Sequence, residues 1–274
     1  MRFEKALLVF RKDWREIRRN WQVILPIVLL PLMISVFLPI ALTAIPSLAP
    51  QQETTLQGFE ELVINLPGNI QEQLAGMTVS QVMVYVMAVY FFAPFFLIIP
   101  LMASSVIASD SFAGEKERKT IEALLATPIS DGELFFGKML VSFVPSMIVT
   151  VVSFVVYTIV FDVMSYDLFN GVLLLPTVDW VLMIFGLAPT IALATIGLTV
   201  MISGKVKGFR EAQQISVVLL IPLLALVFGQ ATGVIIFGPP IILALIGVFS
   251  LVDLIVFRLG LKLFKREEIL AKLA

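Results

Sequence analysis

The chain has 274 residues, 59% of them hydrophobic and 14% charged, with a net charge of −1 and a mean hydropathy of +1.02. Soluble domains run nearer half apolar and a quarter charged, so these values mark an integral membrane protein and exclude a large water-soluble core. There is neither Cys nor His, which excludes disulfide frameworks, thiolate chemistry, and Ser–His or Cys–His nucleophile systems.

Residues 1–20 read as an amphipathic helix. Phe3, Leu7, Phe10, Trp14 and Ile17 recur at spacings of 4, 3, 4 and 3, with Arg and Lys on the other faces. A basic helix with Phe and Trp on its apolar side lies in the membrane interface. Two compatible readings follow: an anchor on anionic headgroups, or a lever that a cytoplasmic partner pushes. No A-x-A-like site precedes a long apolar run, so this segment reads as mature sequence and not as a cleaved signal.

A helix needs about 20 apolar residues to cross the hydrocarbon core. Six stretches meet that need: Trp21–Ile45, Gln81–Ser109, Met139–Phe161, Trp180–Ser203, Gln213–Phe228 and Pro239–Phe257. In the first, Pro26, Pro31 and Pro39 remove backbone donors and bend the helix. The external connection 46–80 carries Leu56, Phe59, Leu62, Val63 and Leu66 on one helical face, ended by Pro67-Gly68. The second span holds Phe91, Phe92, Phe95 and Phe96 beside Pro94 and Pro100, an aromatic patch suited to packing. The Gly- and Pro-rich segment 229–238 is apolar enough to dip back into the membrane, provided other protein covers it.

The loop 110–138 contains AGEKERKTIEALLATPISDGELFFGK, the most charged window of the chain. Within it, Gly132 to Met139 imitates a phosphate-binding loop but has Met where a Mg²⁺-binding hydroxyl belongs. Ser130 with Glu133 forms a capping box, so these amides belong to a helix running into the third span. Upstream, Arg118–Thr127 reads as a short helix stopped by Pro128. Ile121, Leu124 and Leu125 share its apolar face, with Glu115–Lys119 and Arg118–Glu122 as i,i+4 pairs. The segment is either a plain connector or a docking element for a soluble protein.

In the third span, Ser142, Ser146, Thr150, Ser153 and Tyr157 share one face. They either pack helices closely or line a translocation path or dimer seam. Asp253 is the one acid placed inside a span. It reads as an interfacial ion pair with Arg258, or as an ion-coupling group.

All 19 basic residues fall in the N-terminal segment, in alternate loops and in the tail 258–274, and the three remaining loops carry acids only. Positive charge stays cytoplasmic, so an even number of spans with both termini inside follows.

EKERKTIEALLATPISDGELFFGK resembles the signature of ABC-2 type transporter permeases, the membrane subunits of sodium and drug exporters. The match rests on Glu115, Glu117, Thr120, Ile121, Glu122, Leu124, Leu125, Thr127, Pro128, Ile129, Ser130, Glu133, Gly137 and Lys138; Lys119 stands where the family often has Gly. The resemblance implies an all-α integral membrane fold of the type V, ABC-2-like exporter class: one domain over 1–274, with six transmembrane helices, an N-terminal interfacial helix and a cytoplasmic coupling helix after the second span. It implies a homodimer or a heterodimer with a second permease in the plasma membrane, among membrane lipids and without nucleic acid. No cofactor is expected in this chain; ATP and Mg²⁺ belong to a separate cytoplasmic ATPase subunit. Glu115, Glu117, Thr120, Glu122, Leu124, Leu125, Pro128, Gly137 and Lys138 would carry coupling to it, not catalysis. The competing class is an ATP-independent secondary transporter or channel, which favours mid-membrane charge and inverted repeats. A membrane-embedded enzyme is the weakest fit, since the spans hold no His, Cys or Lys.

Overall fold

A computed structural model describes residues 3–48, 68–120, 127, 129–206, 208–231 and 238–263. These residues contain helices and no strand. Helix α1 (Phe3–Ile17) is followed by α2 (Trp21–Ala44), the short α3 (Gly68–Leu74), α4 (Val79–Glu117), α5 (Asp131–Ser165), α6 (Val178–Ser203), α7 (Phe209–Gln230) and α8 (Pro239–Gly260). All but α1 and α3 are long and apolar enough to cross a membrane, which matches the six spans read from composition. The helix expected over Leu56–Leu66, the middle of the apolar segment 229–238, and Ile121, Glu122, Leu124, Leu125 and Pro128 lie outside the described residues.

The observed helices outrun the apolar stretches at the basic end of the bundle. Helix α4 continues past Ser109 to Glu117, and α5 starts at Asp131, well before Met139. The Ser130 capping box forms: its hydroxyl accepts from the Glu133 N–H, and the Glu133 carboxylate accepts from the Ser130 N–H. GELFFGKM is therefore helical throughout.

Helix α4 is the most buried span and α8 the least. Helices α2, α5, α6 and α7 surround α4, while α8 packs mainly on α6. Two glycines permit that last contact. A Cβ at Gly197 would come within 2.2 Å of Val256, and one at Gly186 within 2.7 Å of Ile246.

Prolines shape the spans by widening them. Each of the segments Met33–Phe37, Val86–Phe91 and Met183–Leu187 is π-helical, and each contains the carbonyl four residues before a proline (Pro39, Pro94, Pro189). A proline ring collides with that carbonyl and offers it no N–H, and a wide turn relieves the collision.

In α4 the widening is followed by the 3₁₀ segment Ala93–Leu97, and three consecutive carbonyls take donors from side chains of three other spans. The Tyr157 hydroxyl donates to the Ala88 carbonyl at 2.9 Å, the Trp180 indole N–H to Val89 at 2.8 Å, and the Gln230 amide to Tyr90 at 2.6 Å. In an apolar interior a bare carbonyl is costly, so these donors fix how α5, α6 and α7 sit on α4. Around them, Trp180 stacks on Phe154 and Tyr157 and meets Phe96 edge-on at 4.9 Å. Phe91, Phe92 and Phe95 pack on one another alongside.

At the opposite end, Asp162 accepts hydrogen bonds from the Leu174 and Leu175 N–H groups, and the Gln81 amide donates to the Leu168 carbonyl. The loop after α5 is thereby folded onto the ends of α4 and α5.

Replacing Trp180 with Phe keeps most of the ring contact and removes the donor to the Val89 carbonyl. The expected cost is about 1–3 kcal/mol, read as a lowered midpoint of thermal unfolding in detergent. An unchanged midpoint would mean that the indole N–H is not needed at the break.

Candidate functional site

The basic end of the bundle is held by charge. Lys138 lies about two helical turns into α5, and its side chain is 0% exposed. Its ammonium donates to Glu115 Oε2 at 2.6 Å, to Ser111 Oγ at 3.3 Å, to the Ser111 carbonyl, and to Asp13 Oδ2 at 3.4 Å. The Phe112 ring lies 5.2 Å from it. The Ser111 hydroxyl donates to Asp13 Oδ2 at 2.8 Å. Three segments distant in sequence thus converge on one buried cation: α1 through Asp13, the end of α4 through Ser111 and Glu115, and α5 through Lys138.

Glu115 also accepts from Lys12, so its carboxylate lies between two lysines. Lys12 pairs further with Asp13 and, at 3.4 Å, with Glu16. Arg118 joins Asp110 at 2.9 Å and reaches Glu16 at 3.9 Å, and the Asn20 amide donates to Asp110 at 3.1 Å. Burial alone would push the Asp13 carboxyl up, but Lys138 and Lys12 beside it hold it below the usual carboxylate range. Burial would lower the Lys12 pKa; Asp13, Glu115 and Glu16 outweigh that and raise it. The carboxylates of Asp13, Glu16 and Glu115 lie within 4.8 Å of one another, as metal ligands do, but here lysines supply the positive charge they require.

Backbone contact reinforces the charge. At Gly137 a Cβ would lie 2.7 Å from the Ala6 carbonyl and 2.8 Å from Val9, so glycine lets α1 settle directly on α5. The buried face of α1 is Ala6, Val9, Asp13 and Ile17. This corrects the expected helix orientation. Of the aromatic stripe, only Ile17 is fully buried; Leu7, Phe10 and Trp14 flank the contact and are partly covered.

Of the helix expected over Arg118–Thr127, only 118–120 and 127 lie within the described residues. The α4 helix ends at Glu117, and Arg118 and Lys119 form a turn. Lys119 has a φ of 57°, the left-handed conformation that closes helices and favours glycine. Longer-range partners hold this end: Glu115 binds Lys12 and Lys138 in place of Lys119, and Arg118 binds Asp110 and Glu16, while Glu122 lies outside the described residues. The Thr120 N–H donates to the Glu115 carbonyl at 3.0 Å.

Of the residues singled out for coupling, Glu115, Gly137 and Lys138 meet in this knot. Glu117 points to another neighbour. It accepts the Phe209 N–H at 2.9 Å and so caps the start of α7. Lys116 donates to the Val206 carbonyl at 3.0 Å, which ties in the end of α6. Lys12, Asp13, Glu16, Asp110, Ser111 and Arg118 are members that sequence reasoning missed.

The hydroxyl face of α5 is buried along its length. Ser142, Ser146, Thr150 and Ser153 donate back to carbonyls three or four residues earlier, and Tyr157 donates to α4. Asp253 forms no ion pair with Arg258; five residues apart, they lie on different faces of α8.

The fold and this site define a multi-pass membrane protein whose interfacial helix is welded to two of its spans. A family model described as ABC-2 family transporter protein matches residues 7–238. The chain belongs to that family. No curated protein matches it.

Replacing Lys138 with Met leaves two buried carboxylates short of a partner, with an expected cost of about 3–5 kcal/mol. The combined Asp13→Asn, Glu115→Gln, Lys138→Met variant should recover most of that loss, because no charge then remains unpaired. The thermal unfolding midpoints of the single and the triple variant read the difference. Because the Asp13 carboxyl is depressed, its stabilisation is present above about pH 4 and is lost as pH falls through its folded value. The unfolding midpoint should stay level from neutral pH down to about pH 5, then fall below about pH 4, less steeply in Asp13→Asn.

Proposed function

We propose that this chain is the permease subunit of an ABC exporter with the type V, ABC-2-like fold, driven by a separate ATPase that docks on a coupling helix after α4. Membership of the ABC-2 family supports the transport class, and the buried Lys138 knot is the observation that supports the mechanism. A subunit that receives force must not yield where it is pushed. The segment 118–128 leaves a helix end locked to α1 and α5 through ion pairs, so displacement there is passed to both with little slack. Glu122, Leu124, Leu125 and Pro128 form the docking face in this reading. Glu115, Thr120, Gly137 and Lys138 carry the load into the bundle, and Glu117 passes it to α7.

Both termini face the cytoplasm, in keeping with the basic end of the bundle. Two such permeases, alike or paired with a relative, form the pathway in the plasma membrane. ATP and Mg²⁺ act in the ATPase. The hydroxyl face of α5 serves packing, since its donors are engaged, and the pathway lies between subunits.

The purified chain should hydrolyse no ATP and should support nucleotide-driven transport only when reconstituted in vesicles with its ATPase. Glu122→Arg should abolish transport while the ATPase keeps its basal turnover and the permease its unfolding midpoint. Uptake by the chain alone, driven by an ion gradient, would instead establish a secondary transporter.

A further inference from the structure

Helices α5, α6 and α8 line a half-open cavity of about 500 Å³ toward the basic end. Its walls are apolar: Phe135, Met139 and Phe143 of α5, Leu193 of α6 and Phe257 of α8 are among them. The volume suits a small organic molecule. Three side chains bring polar atoms to it. The Thr190 hydroxyl is spent on the Leu187 carbonyl at 2.8 Å, and Ser250 is neutral. The third is Asp253, whose Oδ1 is buried and accepts no hydrogen bond.

That orphan stands out chemically. Asp13, Asp110 and Glu115 are buried against bases, and Asp162 accepts two backbone N–H groups. An acid in an apolar wall without such a partner is costly, and a ligand that supplies the partner removes the cost. The complement of this cavity is therefore a positive charge on an apolar body. Aromatic rings in the wall add attraction for such a cation. Access is lateral: Leu251, Leu254 and Ile255 on the outer face of α8 are more than half exposed, so the ligand arrives from the bilayer.

We propose that this cavity is a binding site for lipophilic monocations, with Asp253 as the countercharge. The site lies within one chain and requires neither the ATPase nor transport.

Tetraphenylphosphonium tests it, because its charge is permanent and tetraphenylborate has the same shape with the opposite sign. Equilibrium dialysis against the purified full-length chain in nanodiscs should show saturable binding of the cation at about one per chain, and no saturable binding of the anion. Asp253→Asn should weaken the cation by about tenfold or more, the scale of a lost charge-assisted contact. Leu193→Trp, which fills the cavity and keeps the carboxylate, should weaken it likewise and serves if Asp253→Asn does not fold. Equal binding of the two ions, or cation binding unchanged by either substitution, overturns the proposal. A lipid retained in the cavity and not displaced by the cation overturns it too.

Discussion

A buried ammonium must be neutralised where it lies, and Lys138 imposes that condition on this fold. Its helix would otherwise enter the membrane carrying an unpaired charge. The partners that answer it come from α1, more than a hundred residues earlier, and from the end of α4. Because neither Asp13 nor Glu115 can leave without stranding a charge, the interfacial helix is attached to the bundle and does not merely float at the membrane surface. The close approach at Gly137 makes the attachment direct, backbone against side chain, with no compressible layer between.

The same logic of satisfying what the membrane will not solvate governs the interior. Prolines widen three spans, and in α4 three successive carbonyls accept from Tyr157, Trp180 and Gln230. Those bonds place α5, α6 and α7 around a fixed axis. Charge thus sets the basic end of the bundle and polar side-chain donors set its middle. Between them, α4 and α5 are held at two separate heights, which suits elements that move together. Helix α8 takes no part in either scheme, and it is the least buried span.

The spans were legible in the sequence because apolar length is a local property, and so was the Ser130–Glu133 cap, which needs only three residues. The knot was not. Asp13 falls on a helix whose strongest local signal is the aromatic stripe, and nothing near it announces a buried base; its partner is fixed only when α5 folds against it. Glu115 and Lys138 stood out through family resemblance, but their role as each other's partner depends on the same distant contact. Glu115 takes Lys12 and Lys138 instead of Lys119 because buried, fixed partners outcompete an exposed one in a solvated turn. Lys119 shows the reverse case: its left-handed backbone is one that suits the glycine the resemblance sets at this position.

The central claim is that α1 and the end of α4 move as one body because Lys138 joins them. The chain has no cysteine, so paired spin labels can be introduced at Leu8 and Lys119, both exposed, without a background signal. Pulsed electron–electron distance measurements on the complex with the proposed ATPase should give one narrow distribution, unchanged between the nucleotide-free and ATP-bound states, and broadened by Lys138→Met. A distance that shifts with nucleotide in the unsubstituted protein, or that stays narrow without Lys138, would contradict the account.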